Sequence, residues 1–280
     1  MEDRKSFFEN LEPKSALIVG MVGGVLVLCT IGFIVTLFIL LGGKSGVSTN
    51  TVATINNNPA AQPSNTPPPT VVKADRPKVE LFVMSYCPYG LQMQKAYIPA
   101  MQLLKNKADI DIKFVSYAMH GLKEVEENTR QYCIQTEQND KFANYLKCFS
   151  GSGDFTSCLS QAGVNTGKVN SCVTATNKKF AIMDKYNDQS SWLSGQFPLY
   201  PIYQDLNQQY GVQGSPTLVI NGAQVNVNRT PEAIKQAICA SFNDAPSECD
   251  NVLDSSQPEP GFGNGVAAAS GGAAPVQCET

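Results

Sequence analysis

The sequence has a single histidine, no Cys-x-x-Cys pair and no excess of positive charge. Its net charge is -3 and its pI is about 5.3, so a basic nucleic-acid-binding surface is not expected. The missing Cys-x-x-Cys pairs remove the usual sign of a zinc site. Nothing indicates a Ser-His-Asp set or a nucleotide-binding glycine loop. We therefore expect no metal and no cofactor.

Cysteine, in contrast, is abundant. Nine cysteines are many for a cytosolic chain of 280 residues. One of them, Cys29, falls in a long apolar segment, and the other eight follow it. An even number on one side of a membrane favours an oxidising compartment and a disulfide framework.

Residues 16–43 contain no charged side chain, and this length exceeds the roughly 20 residues needed to cross a bilayer. The segment is too long for the core of a cleaved signal peptide. Three basic residues precede it and one follows closely, which places residues 1–15 in the cytoplasm. We predict a single-pass membrane protein with an extracytoplasmic soluble domain. A buried helix is the alternative, which the polar stretch that follows argues against.

Composition divides the remainder of the chain. Residues 44–75 are rich in Pro, Ser, Thr and Asn, which predicts an extended linker. Residues 76–250 have the patterning of a folded domain. A Gly/Ala-rich tail at 251–280 is predicted to be disordered.

Within the domain, 79–84 reads as a strand buried on both faces, and a helical stripe with Pro88 in its first turn follows. A second strand is predicted at 110–114, and a helical insert at about 122–210. A hairpin around Asn221-Gly222 and a helix capped by Thr230 close the pattern. This order predicts an α/β thioredoxin-like fold with a helical insertion, its first two strands parallel.

Cys87 stands between the first strand and the first helix. The N–H groups and dipole of a helix N-terminus favour the thiolate, so Cys87 is the candidate nucleophile. The second cysteine expected three positions later is replaced by Gly90. The alternative is a buried, inert cysteine. Pro88 and Tyr89 lie between the two positions, where Tyr89 could offer an aromatic edge to a substrate or serve only in packing.

Ser215-Pro216 comes just before the predicted hairpin. In thioredoxin folds a cis-proline here lies beside the active cysteine, and the backbone of the preceding residue pairs with an extended substrate. We therefore predict a cis bond at Pro216, with an ordinary trans turn as the alternative.

These motifs resemble DsbA-like thioredoxin-fold proteins and, more closely, the gamma-interferon-inducible lysosomal thiol reductase family. The family signature Cys-Gln-His-Gly-x-x-Glu-Cys-x-x-Asn is similar to the run from Ala118 to Asn128, which keeps His120, Gly121, Glu124 and Asn128 but lacks both cysteines. The resemblance covers residues 78–250 and implies thiol–disulfide chemistry. His120 is expected to support the fold near the active face.

The same resemblance implies a set of structural cysteines: Cys133, Cys148, Cys158, Cys172, Cys239 and Cys249. Cys239–Cys249 is the favoured pair, because a helix end and its following loop can meet. The other four allow three connectivities.

Cys87 and Cys278 are left over. The 28 residues between Cys249 and Cys278 span roughly 30 Å as a flexible chain, so Cys278 could reach Cys87 as a resolving thiol. The favoured interpretation is a spare tail cysteine.

The sequence thus predicts a membrane-anchored, extracytoplasmic thiol–disulfide oxidoreductase or isomerase that acts through Cys87 alone, with Pro216 beside it. Its expected partners are protein thiols or disulfides and an external thiol reductant, with no nucleic acid. One alternative is a non-catalytic peptide-binding module that uses the groove beside Pro216. Another is a monothiol peroxide scavenger.

Overall fold

The structure is a computed structural model of the chain, and it describes residues 71–267 and 276–279. The predicted membrane span at 16–43, the residues before it and most of the linker lie outside these ranges. In the part of the chain that the structure describes, no helix combines the length and apolar character needed to cross a bilayer.

The secondary structure follows the predicted order. The strands are β1 Lys78–Val83, β2 Asp109–Phe114, β3 Gly214–Ser215, β4 Thr217–Ile220, β5 Ala223–Val225 and β6 Cys278–Glu279. The helices are α1 Pro88–Leu104, α2 Leu122–Glu137, α3 Asn139–Ser152, α4 Phe155–Gln161, α5 Thr166–Phe180, α6 Ile182–Asn187, α7 Gln204–Tyr210 and α8 Pro231–Ala240, with 3-10 turns at Gln189–Ser191 and Ser247–Asp250. Helices α2 to α7 occupy the predicted insert.

The main sheet has the strand order β2-β1-β4-β5. Strand β1 runs parallel to β2, as predicted, and antiparallel to β4. Strands β4 and β5 form a hairpin through Asn221 and Gly222, whose φ angles of 49° and 83° suit a tight turn between twisted strands. This topology, with helices between β1 and β2 and after β5, is thioredoxin-like.

Strand β1 divides two apolar clusters because its side chains alternate between the faces of the sheet. Val79, Leu81 and Val83 face the larger cluster, which includes residues of α1, α2, α3 and α8. Phe82 and Met84 face a smaller cluster. Cys87 belongs to this smaller cluster and therefore lies on the side of the sheet opposite the main core.

Two stretches differ from the compositional prediction. Residues 71–75, assigned to the linker, include Ala74, whose backbone bonds to Ser241 and Asn243. The tail at 251–280 was expected to be disordered, yet residues 251–267 and 276–279 have defined positions against the domain. Composition was misleading here because backbone hydrogen bonds and a few apolar side chains, such as those of Leu253 and Phe262, attach these residues to the folded domain.

Candidate active site

Cys87 is fully buried and caps the N-terminus of α1. Its backbone N–H donates to the Met84 carbonyl at 3.0 Å, which forms the tight turn between β1 and α1. The Gly90 N–H donates to Cys87 Sγ at 3.4 Å. This N–H and the helix dipole would stabilise a thiolate whenever the sulfur is released. The predicted placement of Cys87 at a helix start is confirmed.

The Ser215–Pro216 peptide bond is cis, and it lies beside Cys87. Cys87 Sγ is 3.4 Å from the carbonyl oxygen of Ser215. Ser215 Oγ accepts a hydrogen bond from the Met84 N–H at 2.8 Å, which ties β3 to the turn before the cysteine. Ser215 and Pro216 therefore form one wall of the site.

Gly90 leaves no space for a second active-site cysteine. A Cβ at this position would lie 2.6 Å from Ser215 Oγ, 3.0 Å from the Met84 carbonyl oxygen and 3.3 Å from Cys87 Cβ. All three distances are shorter than an ordinary contact. The glycine is thus a spatial requirement of the Ser215 hydroxyl in this arrangement.

The sulfur of Cys87 has a partner elsewhere. Cys87 forms a disulfide with Cys278, 191 positions along the chain, with the two Cα atoms 6.2 Å apart. The expectations that Cys278 is a spare cysteine and that Cys87 has no internal partner are therefore wrong in this structure. The number of residues between Cys249 and Cys278 showed that Cys278 could reach Cys87. It did not show which contacts would hold Cys278 beside Cys87.

The tail is held there as a strand. Ser215 pairs with Cys278 and Gly214 with Glu279, so β6 adds antiparallel to β3 just before the cis-proline. The Gln277 side-chain amide donates to the Pro216 carbonyl at 2.7 Å. The end of the chain thus occupies the backbone edge that a substrate peptide was expected to use.

A second set of contacts fixes the base of the tail, at residues 257–267. Lys95 on α1 donates to three carbonyl oxygens of this loop, those of Glu259 at 2.7 Å and of Gly261 and Gly263 at 2.9 Å. Burial lowers the pKa of Lys95. All three ammonium hydrogens are used on one loop, which explains how a glycine-rich stretch becomes ordered.

The same loop reaches the active-site turn itself. The Gly261 N–H donates to the Pro88 carbonyl at 2.8 Å. The Phe262 ring makes edge contacts with Tyr86 and Phe149, with centroids 5.6 Å and 5.4 Å away. Tyr86 directly precedes Cys87, so the loop packs on the approach to the candidate nucleophile.

The active-site turn is supported from α2 by a buried carboxylate. Glu124 Oε2 accepts from the Tyr86 N–H at 3.1 Å and lies 2.6 Å from His120 Nδ1. Its Oε1 accepts from the Met119 N–H at 2.8 Å. One turn further on, Asn128 Oδ1 accepts from the Ser85 N–H at 3.1 Å.

His120 is thus linked through Glu124 to the turn that precedes α1. None of these hydrogen bonds connects His120 to the sulfur of Cys87. Sequence reasoning named Glu124 and Asn128 only as parts of a signature. Their spacing of four residues, which puts both on one face of α2, was the available signal for a shared role.

The other cysteines form three disulfides away from this site: Cys133–Cys172, Cys148–Cys158 and Cys239–Cys249. The last is the pairing that the sequence favoured, and the first two select one of the three open connectivities. Among the described residues, no group of three or more His, Cys, Asp or Glu side chains is placed to hold a metal ion.

No protein-family model and no curated protein sequence matches the chain. Solved structures with a similar fold include the disulfide bond oxidoreductase DsbG from Mycobacterium tuberculosis, at 15% identity and a TM-score of 0.42, covering 64% of this chain and 89% of that one. BdbD from Bacillus subtilis is similar at 17% identity and a TM-score of 0.41, covering 64% and 92%. DsbA from M. tuberculosis is similar at 16% and 0.40, covering 64% and 94%. At these values the similarity does not assign an activity, which rests on the residues of the site.

The close approach of Gly90 and Ser215 predicts energetic coupling between the two positions. Gly90→Ala should lower the free energy of unfolding by about 1–3 kcal/mol, because the new methyl group meets Ser215 Oγ. Ser215→Ala loses the hydrogen bond from Met84, but in the Gly90→Ala background it also removes the clash. Denaturant unfolding of both single variants and the double variant should give a favourable coupling of about 0.5–3 kcal/mol. Simple additivity would contradict the crowding.

Proposed function

We propose that this chain is a thiol–disulfide oxidoreductase in which Cys87 is the nucleophile and Cys278 is its resolving partner. The observation that supports this most strongly is the Cys87–Cys278 disulfide beside a helix N-terminus and a cis-proline. A disulfide that served only to fix the tail would not need a thiolate-stabilising N–H at one of its sulfurs.

The reductive half of the cycle starts with both cysteines reduced and the tail strand displaced from β3. The Cys87 thiolate attacks one sulfur of a substrate disulfide, that S–S bond breaks, and the other substrate sulfur leaves as a thiolate that takes a proton from solvent. A mixed disulfide between Cys87 and the substrate results.

The Cys278 thiolate then attacks Cys87 Sγ, and the second substrate sulfur leaves. The substrate has gained two electrons and two protons, and the enzyme holds the Cys87–Cys278 disulfide. Two equivalents of an external thiol reduce this disulfide and are oxidised to one disulfide. The same steps run in reverse oxidise a substrate dithiol, so the direction is set by the redox partner.

In this cycle the pairing of β6 with β3 breaks, whereas the contacts of Lys95 and Phe262 with the tail persist. Pairing of β6 with β3 must break before a substrate can enter. The contacts of Lys95 and Phe262 involve only residues before 268, so opening the disulfide leaves them in place. Cys278 therefore stays tethered close to Cys87, which raises its effective concentration for resolution.

The non-catalytic alternative is a module that holds peptides in the groove beside Pro216. The tail strand on β3 shows that this edge accepts an extended segment, which fits such a module as well. A reactive Cys87 distinguishes the oxidoreductase from the binding module.

Removing the resolving thiol should trap the intermediate. We expect the Cys278→Ser chain, incubated with a protein carrying scrambled disulfides, to accumulate a covalent Cys87 adduct on non-reducing gels. The wild-type chain should turn over without accumulation, and Cys87→Ser should give no adduct. Wild-type turnover by Cys278→Ser would refute the resolving role. If no variant forms a Cys87-dependent adduct, the binding module is the better interpretation.

The loop contacts predict a smaller, graded effect on ring closure. Eleven positions separate Ala267 from Cys278. Without the Lys95 ammonium and the Phe262 ring, the Gly261 and Gly263 N–H groups still donate to Pro88 and Ser150, and 15 positions separate Gly263 from Cys278. Effective concentration falls roughly as the −3/2 power of length, so Lys95→Met/Phe262→Ala should lower it by roughly 1.6-fold. Equilibration of the Cys87–Cys278 pair with reduced and oxidised glutathione measures this quantity. Lys105→Met, an exposed lysine at the end of α1, is the control, and an equal equilibrium for both would contradict the tether.

We also propose that the domain is extracytoplasmic and anchored by residues 16–43. The uncharged apolar sequence of that segment and the four disulfides support this location. In intact cells, protease added outside should degrade the domain, whereas a cytoplasmic marker protein should survive. Protection of the domain until the cells are lysed would exclude this orientation.

A further inference from the structure

Arg229, which precedes α8, is a buried cation that bonds to the tail. Only 8% of the residue is exposed. One terminal nitrogen donates to the Val276 carbonyl at 2.5 Å and the other to Gln92 Oε1 at 2.9 Å. The guanidinium carbon lies 5.5 Å from the centroid of the Tyr89 ring, next to Pro88 in the active-site turn. Burial lowers the pKa of Arg229.

The tail is recognised mainly through its backbone. Val276 offers its carbonyl to Arg229, while Cys278 and Glu279 pair with β3. Gly214 makes the close pairing possible, since a Cβ there would lie 2.6 Å from the Cys278 carbonyl oxygen. Gln277 adds one side-chain bond, to Pro216. Apart from that amide and the cysteine itself, these contacts would be available to any extended polypeptide.

Displacement of the tail leaves Arg229 without the Val276 carbonyl. The guanidinium is then partly uncovered and bonds to water, and an incoming segment that covers it again is favoured only if it supplies an acceptor in place of that water. A polypeptide that takes the place of the tail, with its cysteine where Cys278 lies, brings a backbone carbonyl to the same point. That carbonyl belongs to the residue two positions before the reacting cysteine.

We propose that Arg229 is a substrate-positioning residue that recognises this carbonyl, and that the substrates are extended cysteine-containing polypeptide segments running in the direction of residues 276–279. The proposal rests on the proposed function and names its substrate class. A small disulfide without residues before its cysteine lacks the carbonyl that Arg229 binds. The tail itself is then an internal competitor that uses the same contacts.

The test uses the full chain carrying Cys278→Ser, so that Cys87 is free, and a peptide copied from the tail, acetyl-Ala-Pro-Val-Gln-Cys-Glu-amide, as its 2-thiopyridyl disulfide. Attack of the Cys87 thiolate on the peptide sulfur breaks that disulfide and releases 2-thiopyridone, which is followed by its absorbance. A second peptide is identical except that the Val-Gln amide is replaced by a trans alkene, which keeps the extended geometry but has no carbonyl and carries no charge.

In the Arg229-containing chain, loss of the carbonyl should slow the reaction about tenfold, the size of one hydrogen bond to a charged group. In the Arg229→Met chain the two peptides should react at equal rates. Tail competition and any general effect of the substitution cancel, because each comparison is made within one protein. Arg76→Met, which changes a half-exposed arginine, should keep the tenfold difference.

The outcomes separate the two proposals. Equal rates for the two peptides in the Arg229-containing chain, or an undiminished difference in Arg229→Met, would overturn the role of Arg229 while leaving Cys87 reactive. No release of 2-thiopyridone from either peptide would overturn the proposed function itself.

Discussion

The site depends on how little space surrounds the N-terminus of α1. Ser215 Oγ fills the volume that a side chain at position 90 would need, and the same hydroxyl holds the turn through the Met84 N–H. A second sulfur therefore has no room three positions after Cys87. The sulfur of Cys87 is bonded instead to Cys278, which β6 brings in along the edge of β3. The two cysteines are 191 positions apart in the chain.

In the proposed cycle, a resolving cysteine on a tail meets two opposing demands. It must leave the groove so that a substrate can enter, and it must return faster than an external thiol can act. The chain meets them with separate contacts. Lys95 and Phe262 fix the tail up to residue 267, where no substrate is expected to bind, whereas Arg229 and β3 hold the last residues through backbone groups that a substrate can replace.

The turn that precedes Cys87 is also held by side chains of α2. Glu124 and Asn128 use side-chain oxygens to accept N–H groups of Tyr86 and Ser85, which the tight turn leaves without backbone partners. A buried carboxylate that accepts several N–H groups is well compensated. His120 Nδ1 lies at hydrogen-bond distance from the same Glu124 oxygen that accepts from Tyr86. None of these hydrogen bonds involves a residue of the tail.

The sequence by itself determined the strand and helix order, the hairpin at Asn221-Gly222 and the position of Cys87 at a helix start, because these follow from local periodicity, turn chemistry and capping. It also indicated the proline whose bond is cis. Only the tertiary structure decided the partner of Cys87, the order of residues 251–267 and the role of Glu124. Each depends on groups distant in the chain: the three carbonyls around Lys95, the edge of β3 and the N–H groups of the turn. Composition marks a glycine-rich tail as unable to bury a core, but it does not register backbone groups that bond to a surface already folded.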